Sequence, residues 1–247
     1  VPDPIHIHAT APLADRVLLP GDPGRALALA QLLLSAPKMF NHNRGLWGYT
    51  GEAIADGRPL TIQSTGMGGP SAAIVLAELA ELGARRFVRV GTCGSLTTAL
   101  GLGELVIVTE AICDDGASRA LASAERVAPE ADLLARLIVE GQSVAAEQTV
   151  PGEAALAVRQ GVAVSTDLFY DRPAGARDRW VGLGATAVEL ETATVLALAR
   201  RRGLSAAALL LVADLIGADA GRHRITSERL RAGERRLGEL AVRALSA

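Results

Sequence analysis

Residues 88–95, Val-Arg-Val-Gly-Thr-Cys-Gly-Ser, bring an arginine, a threonine hydroxyl and several side-chain-poor amides to the end of an apolar run. A strand that opens this way and closes in a small-residue turn forms the floor of an anion pocket. Gly21-Asp22-Pro23-Gly24-Arg25 offers glycine amides and a guanidinium at a helix start. Taken alone, those five residues also read as an ordinary strand-to-helix turn. Gly66-Met67-Gly68-Gly69-Pro70-Ser71 shares that ambiguity. It is not a G-x-G-x-x-G dinucleotide loop, because Pro70 and Ser71 occupy the places of any residue and then glycine, and no lysine follows to make a Walker loop.

Three further positions carry chemistry. Asp214 ends the apolar run 207–213. A carboxyl fed by a fully buried strand is partly desolvated, which raises its pKa and suits a general acid; a helix or turn cap is the plainer reading. Glu191 stands where a strand meets a helix, and could accept hydrogen bonds from paired sugar hydroxyls or simply favour a helix first turn. Phe169 and Tyr170 stand out where aromatics make up 3% of the chain; they suit either stacking on a planar ligand or core packing.

Composition bounds the rest. The 247 residues, 49% hydrophobic and 21% charged, suffice for one α/β domain with a sizeable core. A net charge of −2 gives no bulk attraction to nucleic acid or an anionic membrane. Lys38 is the only lysine. Arginine is therefore the chain's general basic residue, and each one must be argued from its neighbours. Cys93 and Cys113 form neither a CxxC nor a disulfide framework, which fits a cytoplasmic setting. His6 and His8 lack acidic or cysteine partners at ligand spacing, so no metal is expected. The opening residues do not read as a signal peptide, and no apolar run reaches the ~20 residues of a spanning helix.

The elements that must hold these residues alternate. Strands are expected at 16–20, 60–65, 88 onward, 104–109, 161–166, 185–190 and 206–212. Helices are expected at 26–35, 71–82, 131–140, 191–202 and 226–245. Residues 41–51 read as a loop or hairpin holding Arg44, and 111–128 and 217–224 as loops. The pattern is a single α/β domain spanning 1–247, with a central mixed, largely parallel sheet flanked by helices. Ligands on such sheets bind beyond the carboxyl ends of the strands, where the singled-out residues fall.

At these residues the chain resembles the nucleoside phosphorylase family that includes bacterial hexameric purine nucleoside phosphorylases and uridine phosphorylases. The most specific piece is Ser64-Thr65-Gly66-Met67-Gly68-Gly69-Pro70-Ser71-Ala72-Ala73-Ile74 with Glu78-Leu79. Pro20-Gly21-Asp22-Pro23, Asn43-Arg44-Gly45, Arg89-Val90-Gly91-Thr92, Asp167-Leu168-Phe169-Tyr170 and Glu189-Leu190-Glu191 follow in family order. The resemblance implies that Gly21, Arg25, Arg89 and Thr92 hold phosphate, and that Arg44 reaches it in a neighbouring subunit. It implies that Val188, Glu189, Leu190 and Glu191 form the nucleoside site, with Glu191 on the ribose 2′ and 3′ hydroxyls. Phe169 would pack on base or sugar. His6, or His8 one step on, would reach the 5′ hydroxyl across a subunit interface. The working unit would be at least a dimer, commonly a hexamer, with no cofactor and with phosphate as a substrate.

The reaction so implied is displacement at the anomeric carbon by phosphate, releasing the base and (deoxy)ribose 1-phosphate. Asp214 matches the family's purine-site acid, expected to protonate N7, with Arg229 the arginine expected to assist it and Arg222 and Arg224 as rivals. Thr92 is the residue uridine phosphorylases tend to carry, whereas the glutamine they use to read uracil is missing from 171–177. With Asp214 present, purine is the favoured base and uridine the alternative. A non-catalytic nucleoside- or phosphate-binding module is the reading from another class; the set Arg25, Arg44, Arg89, Glu191 and Asp214 argues against it.

Overall fold

The computed structural model describes residues 4–147, 157–217 and 222–246. Among them the strands are β1 (Arg16–Leu19), β2 (Leu34–Asn41), β3 (Gly48–Ala53), β4 (Pro59–Gln63), β5 (Arg86–Ser95) and β6 (Leu105–Asp114). They continue as β7 (Arg126–Val127), β8 (Val158–Thr166), β9 (Ala187–Glu189), β10 (Ser205–Ile216) and β11 (Arg222–Arg224). The helices are α1 (Pro23–Leu33), α2 (Gly69–Glu81), α3 (Gly116–Leu121), α4 (Ala131–Glu147), α5 (Ala176–Gly182), α6 (Thr192–Arg201) and α7 (Ser227–Ser246). No described helix is long and apolar enough to cross a membrane.

The strands form one mixed sheet. Pairs β1–β4, β1–β5, β5–β10, β6–β8 and β8–β9 run parallel. Pairs β5–β9 and β10–β6 run antiparallel. Because β10 pairs with both β5 and β6, the strands β5, β10, β6, β8 and β9 close into a ring, and β1, β4, β3 and β2 extend from it. Side chains alternate across this sheet. Leu209 and Leu211 of β10 pack with Leu29 of α1, Leu137 of α4 and Leu240 of α7. Leu210 and Val212 pack on the other side with Leu76 of α2 and Leu196 and Leu198 of α6. The domain is an α/β fold with helices on both faces.

Three differences from the sequence expectations have physical causes. Residues 91–95 are strand: β5 stays paired with β10 through Ser95, across a register shift between Val212 and Asp214. Their glycines serve close approach. A Cβ at Gly91 would stand 2.7 Å from Arg89 Nη2, and one at Gly94 would stand 2.5 Å from Ile216 Cδ1. Residues 111–128, expected as loop, hold the end of β6, then α3 and β7. Polar Thr109 and Glu110 interrupt the apolar pattern, but the register shift between Val108 and Glu110 lets β6 stay paired with β8. The apolar run 206–212 continues through a shift at Val212/Asp214 to Ile216, where β11 pairs with it inside a stretch expected to be loop.

Candidate active site

Two glycine turns and two strand ends build the site. At the first turn, Asp22 caps α1: its Oδ1 accepts from the Arg25 amide at 2.6 Å, and Pro23 occupies a first-turn place that needs no N–H. The second turn lies against it, with the Gly66 amide donating to the Gly21 carbonyl at 3.0 Å. Gly66 and Gly68 have φ of +73° and +89°, which favour glycine. This geometry frees the Gly68 amide to donate to Glu191 Oε1 at 2.6 Å.

Arg89, on β5, is only 3% exposed. Its Nε donates to Glu189 Oε2 at 2.9 Å and to Thr192 Oγ1 at 3.2 Å, and its Nη2 donates to Glu191 Oε2 at 2.6 Å. Its Nη1 is buried with no hydrogen-bond partner among the described residues. Burial opposes the guanidinium charge, but the Glu191 and Glu189 carboxylates outweigh it and hold the arginine's pKa above its ordinary value. Burial acts on Glu191 in the opposite sense to Arg89: it pushes this carboxyl above the usual range, Glu189 adds to the rise, and Arg89 opposes it.

Glu189 is the anchor of the group. Its Oε2 also accepts from the Glu191 and Thr192 amides, each at 2.9 Å, and its Oε1 accepts from the Ser165 hydroxyl. It therefore ties the start of α6 to β8 and β5. Both oxygens are taken up by protein donors, so Glu189 serves to hold Arg89 and the start of α6.

A cavity of about 680 Å³ opens on this group, a size suited to a small molecule. Gly21, Arg25, Arg89 and Thr92 line it, as do Val188, Glu189, Leu190 and Glu191. Phe169 and Asp214 line it as well. The Phe169 ring meets Tyr170 edge-on with centroids 4.8 Å apart, and the Arg172 guanidinium lies 6.0 Å from its centroid. Arg44, expected to reach a neighbour's phosphate, lines the cavity of its own chain from an exposed turn with φ of +56°. Cys93 also faces the cavity, and burial pushes its thiol upward, so it stays protonated at neutral pH.

Asp214 is 7% exposed, and its Oδ1 lies 3.2 Å from Arg224 Nε. Arg224 reaches it because β10 and β11 pair Asp214 directly with Arg224. Two of the three arginine candidates separate here. Arg229, the expected assistant, instead donates to the Leu102 carbonyl at 2.9 Å and does not line the cavity. Its helix begins two residues earlier, at Ser227, beyond the β10–β11 pairing that brings Arg224 to Asp214. The Arg222 side chain lies outside the described residues.

His6 does not line the cavity either. Its Nδ1 lies 2.6 Å from Glu78 Oε1, and the Glu78 carboxylate also accepts from the Ile5, His6 and Ile7 amides. Burial works to raise the Glu78 pKa, but the His6 side chain and the Ile7 and His6 amides hold it below the usual range. His8 is exposed and donates its amide to Asn41 Oδ1 at 2.9 Å. Sequence reading missed Glu78, Ser165, Thr192 and Glu234, which hold the site residues in place. Only Glu78 stood in a quoted motif.

The family model described as the phosphorylase superfamily matches residues 15–246. The chain belongs to the phosphorylase superfamily. Among the relatives of this superfamily chain is a purine nucleoside phosphorylase DeoD-type of Geobacillus kaustophilus, 34% identical over 236 residues that cover 94% of this chain and 92% of that one. A guanosine phosphorylase of Halorubrum lacusprofundi is 37% identical over 196 residues, 79% of this chain and 76% of that protein. Among solved structures, a uridine phosphorylase of Vibrio fischeri ES114 aligns with a TM-score of 0.79 at 25% identity, covering 94% of this chain and 92% of that one. The superfamily member described above is thus an enzyme of the nucleoside phosphorylase family, with purine- and uridine-named proteins both among its relatives.

Proposed function

We propose that the chain catalyses phosphorolysis of purine ribo- or deoxyribonucleosides, releasing free purine and the pentose 1-phosphate. The observation that carries the purine reading is Asp214, a buried carboxyl on the cavity wall with Arg224 against it. Cleaving the glycosidic bond builds oxocarbenium character on the sugar and negative charge on the base. A carboxylic acid beside purine N7 relieves the second charge by giving up a proton there. Uracil offers no N7. Arg224 is the arginine we assign to orient Asp214.

Phosphate takes the place between Arg25 and Arg89, with Gly21 and Thr92 as further donors. Guanidinium forks bind a dianion by charge-assisted hydrogen bonds and fix it for in-line attack on the anomeric carbon. The unpartnered Nη1 of Arg89 supports this assignment. Glu191 accepts from the ribose hydroxyls, and Phe169, Val188 and Leu190 pack on the nucleoside. The reaction needs no metal or cofactor, since phosphate supplies the nucleophile. Its products fit a role in purine salvage.

The working unit in this reading is an oligomer of at least two copies, commonly a hexamer in this family. Asn43 Nδ2 donates to the His6 carbonyl at 3.1 Å, so the Arg44 turn and His6 share one surface. Ile5 and Met67 on neighbouring segments are 72% and 86% exposed, apolar area that a second copy would cover. There His6 and Arg44 would serve the partner's site.

The test is a panel of inosine, guanosine, adenosine and uridine with phosphate, run on the wild type and on Asp214→Asn. We expect purine turnover in the wild type and a loss of roughly 10²-fold or more on the 6-oxopurines in the variant, the size of a general-acid effect. Uridine as the preferred substrate, or inosine turnover unchanged by Asp214→Asn, would overturn the purine reading.

A further inference from the structure

Arg25 is held by a residue far away in the chain. Its Nε donates to Glu234 Oε1 at 2.6 Å across a separation of 209 residues, and both side chains are largely buried, at 11% and 15% exposure. Glu234 lies on α7, and two close approaches fix where α7 runs. A Cβ at Gly233 would stand 2.6 Å from Leu211 Cδ1 of β10, and one at Gly238 would stand 2.6 Å from Leu29 Cδ2 of α1. The helix therefore sits tight on both the sheet and the helix that carries Arg25. The carboxylate is delivered by packing, beside a glycine that packing requires.

The geometry of the pair has a consequence for the fork. An arginine has one N–H on Nε and two on each Nη. With Nε taken by Glu234, the guanidinium presents its Nη1–Nη2 edge, and among the described residues those two nitrogens take no other protein partner. Arg89 is arranged alike: carboxylates hold its Nε and Nη2, and Nη1 is left over. Each of the two arginines is thus anchored by a carboxylate on one side and left without a protein partner among the described residues on another. A loose arginine would lose side-chain rotamer entropy each time phosphate bound; a pinned one has already lost it.

We infer that Glu234 is a positioning residue for phosphate, which fixes the Arg25 guanidinium so that its Nη edge is pre-set toward the nucleophile. The inference rests on the placing of phosphate between Arg25 and Arg89. Glu234 does not itself touch the phosphate.

The experiment measures KM for phosphate, KM for nucleoside and kcat in Glu234→Ala and Glu234→Gln, with and without Arg25→Ala, alongside a melting temperature for each variant. Glu234→Ala is expected to raise the phosphate KM about 10-fold, the scale of one charge-assisted hydrogen bond, with the nucleoside KM changed less than about 2-fold. Glu234→Gln keeps an oxygen that accepts from Nε and should recover most of the loss even if Glu234→Ala folds poorly. In the Arg25→Ala background, Glu234→Ala should change the phosphate KM less than about 2-fold. An unchanged or lowered phosphate KM in Glu234→Ala, or the same effect with Arg25 absent, overturns the inference. A wild type that releases base equally without phosphate would instead remove the phosphate site itself.

Discussion

Replacing Glu189 with glutamine tests the site's internal support. The carboxylate accepts from Arg89 Nε at 2.9 Å, from the Glu191 and Thr192 amides at 2.9 Å, and from the Ser165 hydroxyl. In Glu189→Gln one of those acceptors becomes an NH₂ group. Turned toward Oε2, it would face only donors. Turned toward Oε1, it faces the Ser165 hydroxyl, which can rotate to accept, and the Thr192 amide, which donates there at 3.0 Å and cannot. The second orientation is the better one, and even it forfeits a hydrogen bond and the charge that assists the Arg89 contact. Hydrogen bonds to charged groups contribute about 1.5–3 kcal/mol and neutral ones about 1, so the expected loss is about 3 kcal/mol. For a chain of this length that lowers the melting temperature by roughly 6–12 °C at about 2–4 °C per kcal/mol. The phosphate KM should rise alongside, because Arg89 loses its anchor. Calorimetry and steady-state kinetics read both. A melting temperature within about 2 °C of wild type would refute the reasoning that Glu189 is a saturated structural acceptor.

Three further outcomes follow from the geometry. Gly91→Ala puts a methyl 2.7 Å from Arg89 Nη2 and 3.1 Å from Leu210 Cδ2, so it should cost about 1–3 kcal/mol of stability and raise the phosphate KM; a variant with wild-type melting and KM would contradict the close approach. Asp56 holds buried Arg16 through two contacts of 2.7 Å, and the Arg16 guanidinium keeps its carboxyl well below the usual range. That stability is complete above the ordinary aspartate value of 3.8 and is lost as pH falls toward the lowered folded value. Asp56→Asn should therefore destabilise by about 2 kcal/mol at pH 7, with the gap to wild type closing on acidification below pH 4 in urea titrations; a pH-independent gap would contradict the ion pair. Arg224→Ala should slow 6-oxopurine turnover by about 10-fold or more and Arg229→Ala by less, since of these two it is Arg224 that lies against Asp214; the reverse order in steady-state kcat would return the assisting role to Arg229.

The residues of the site were legible where they sat in short motifs. Gly21 to Arg25 reads as a turn into a helix, and so does Gly66 to Ser71, because turns and positive φ are local demands on a few adjacent residues. Glycine is ambiguous in the same local view. Residues 91–95 look like a turn, yet Gly91 and Gly94 are small because Arg89 and Ile216 need the space within a strand. Strand β6 and the pair β10–β11 were under-read at their polar ends for a related reason: a ladder with a bulge survives polar residues that break the apolar pattern. The supports were not legible. Glu234 is one of many charges on an amphipathic helix, and only tertiary packing selects it for Arg25. The difference between Arg224 and Arg229 likewise depends on a strand pairing that residue types do not reveal.

The central claim is that the arginine-lined cavity binds the nucleophile, with Arg89 at its floor. The most direct measurement is purine release from inosine against phosphate concentration, in wild type and in Arg89→Lys. Lysine keeps the charge but cannot reproduce a guanidinium held by Glu189 and Glu191 on one edge with Nη1 free. The wild type should release base only when phosphate is present, with saturation and stoichiometric pentose 1-phosphate. Arg89→Lys should need at least about 10-fold more phosphate for half-maximal rate, the scale of one lost charge-assisted hydrogen bond. Equal rates without phosphate, or an Arg89→Lys curve that overlays the wild type, would contradict it.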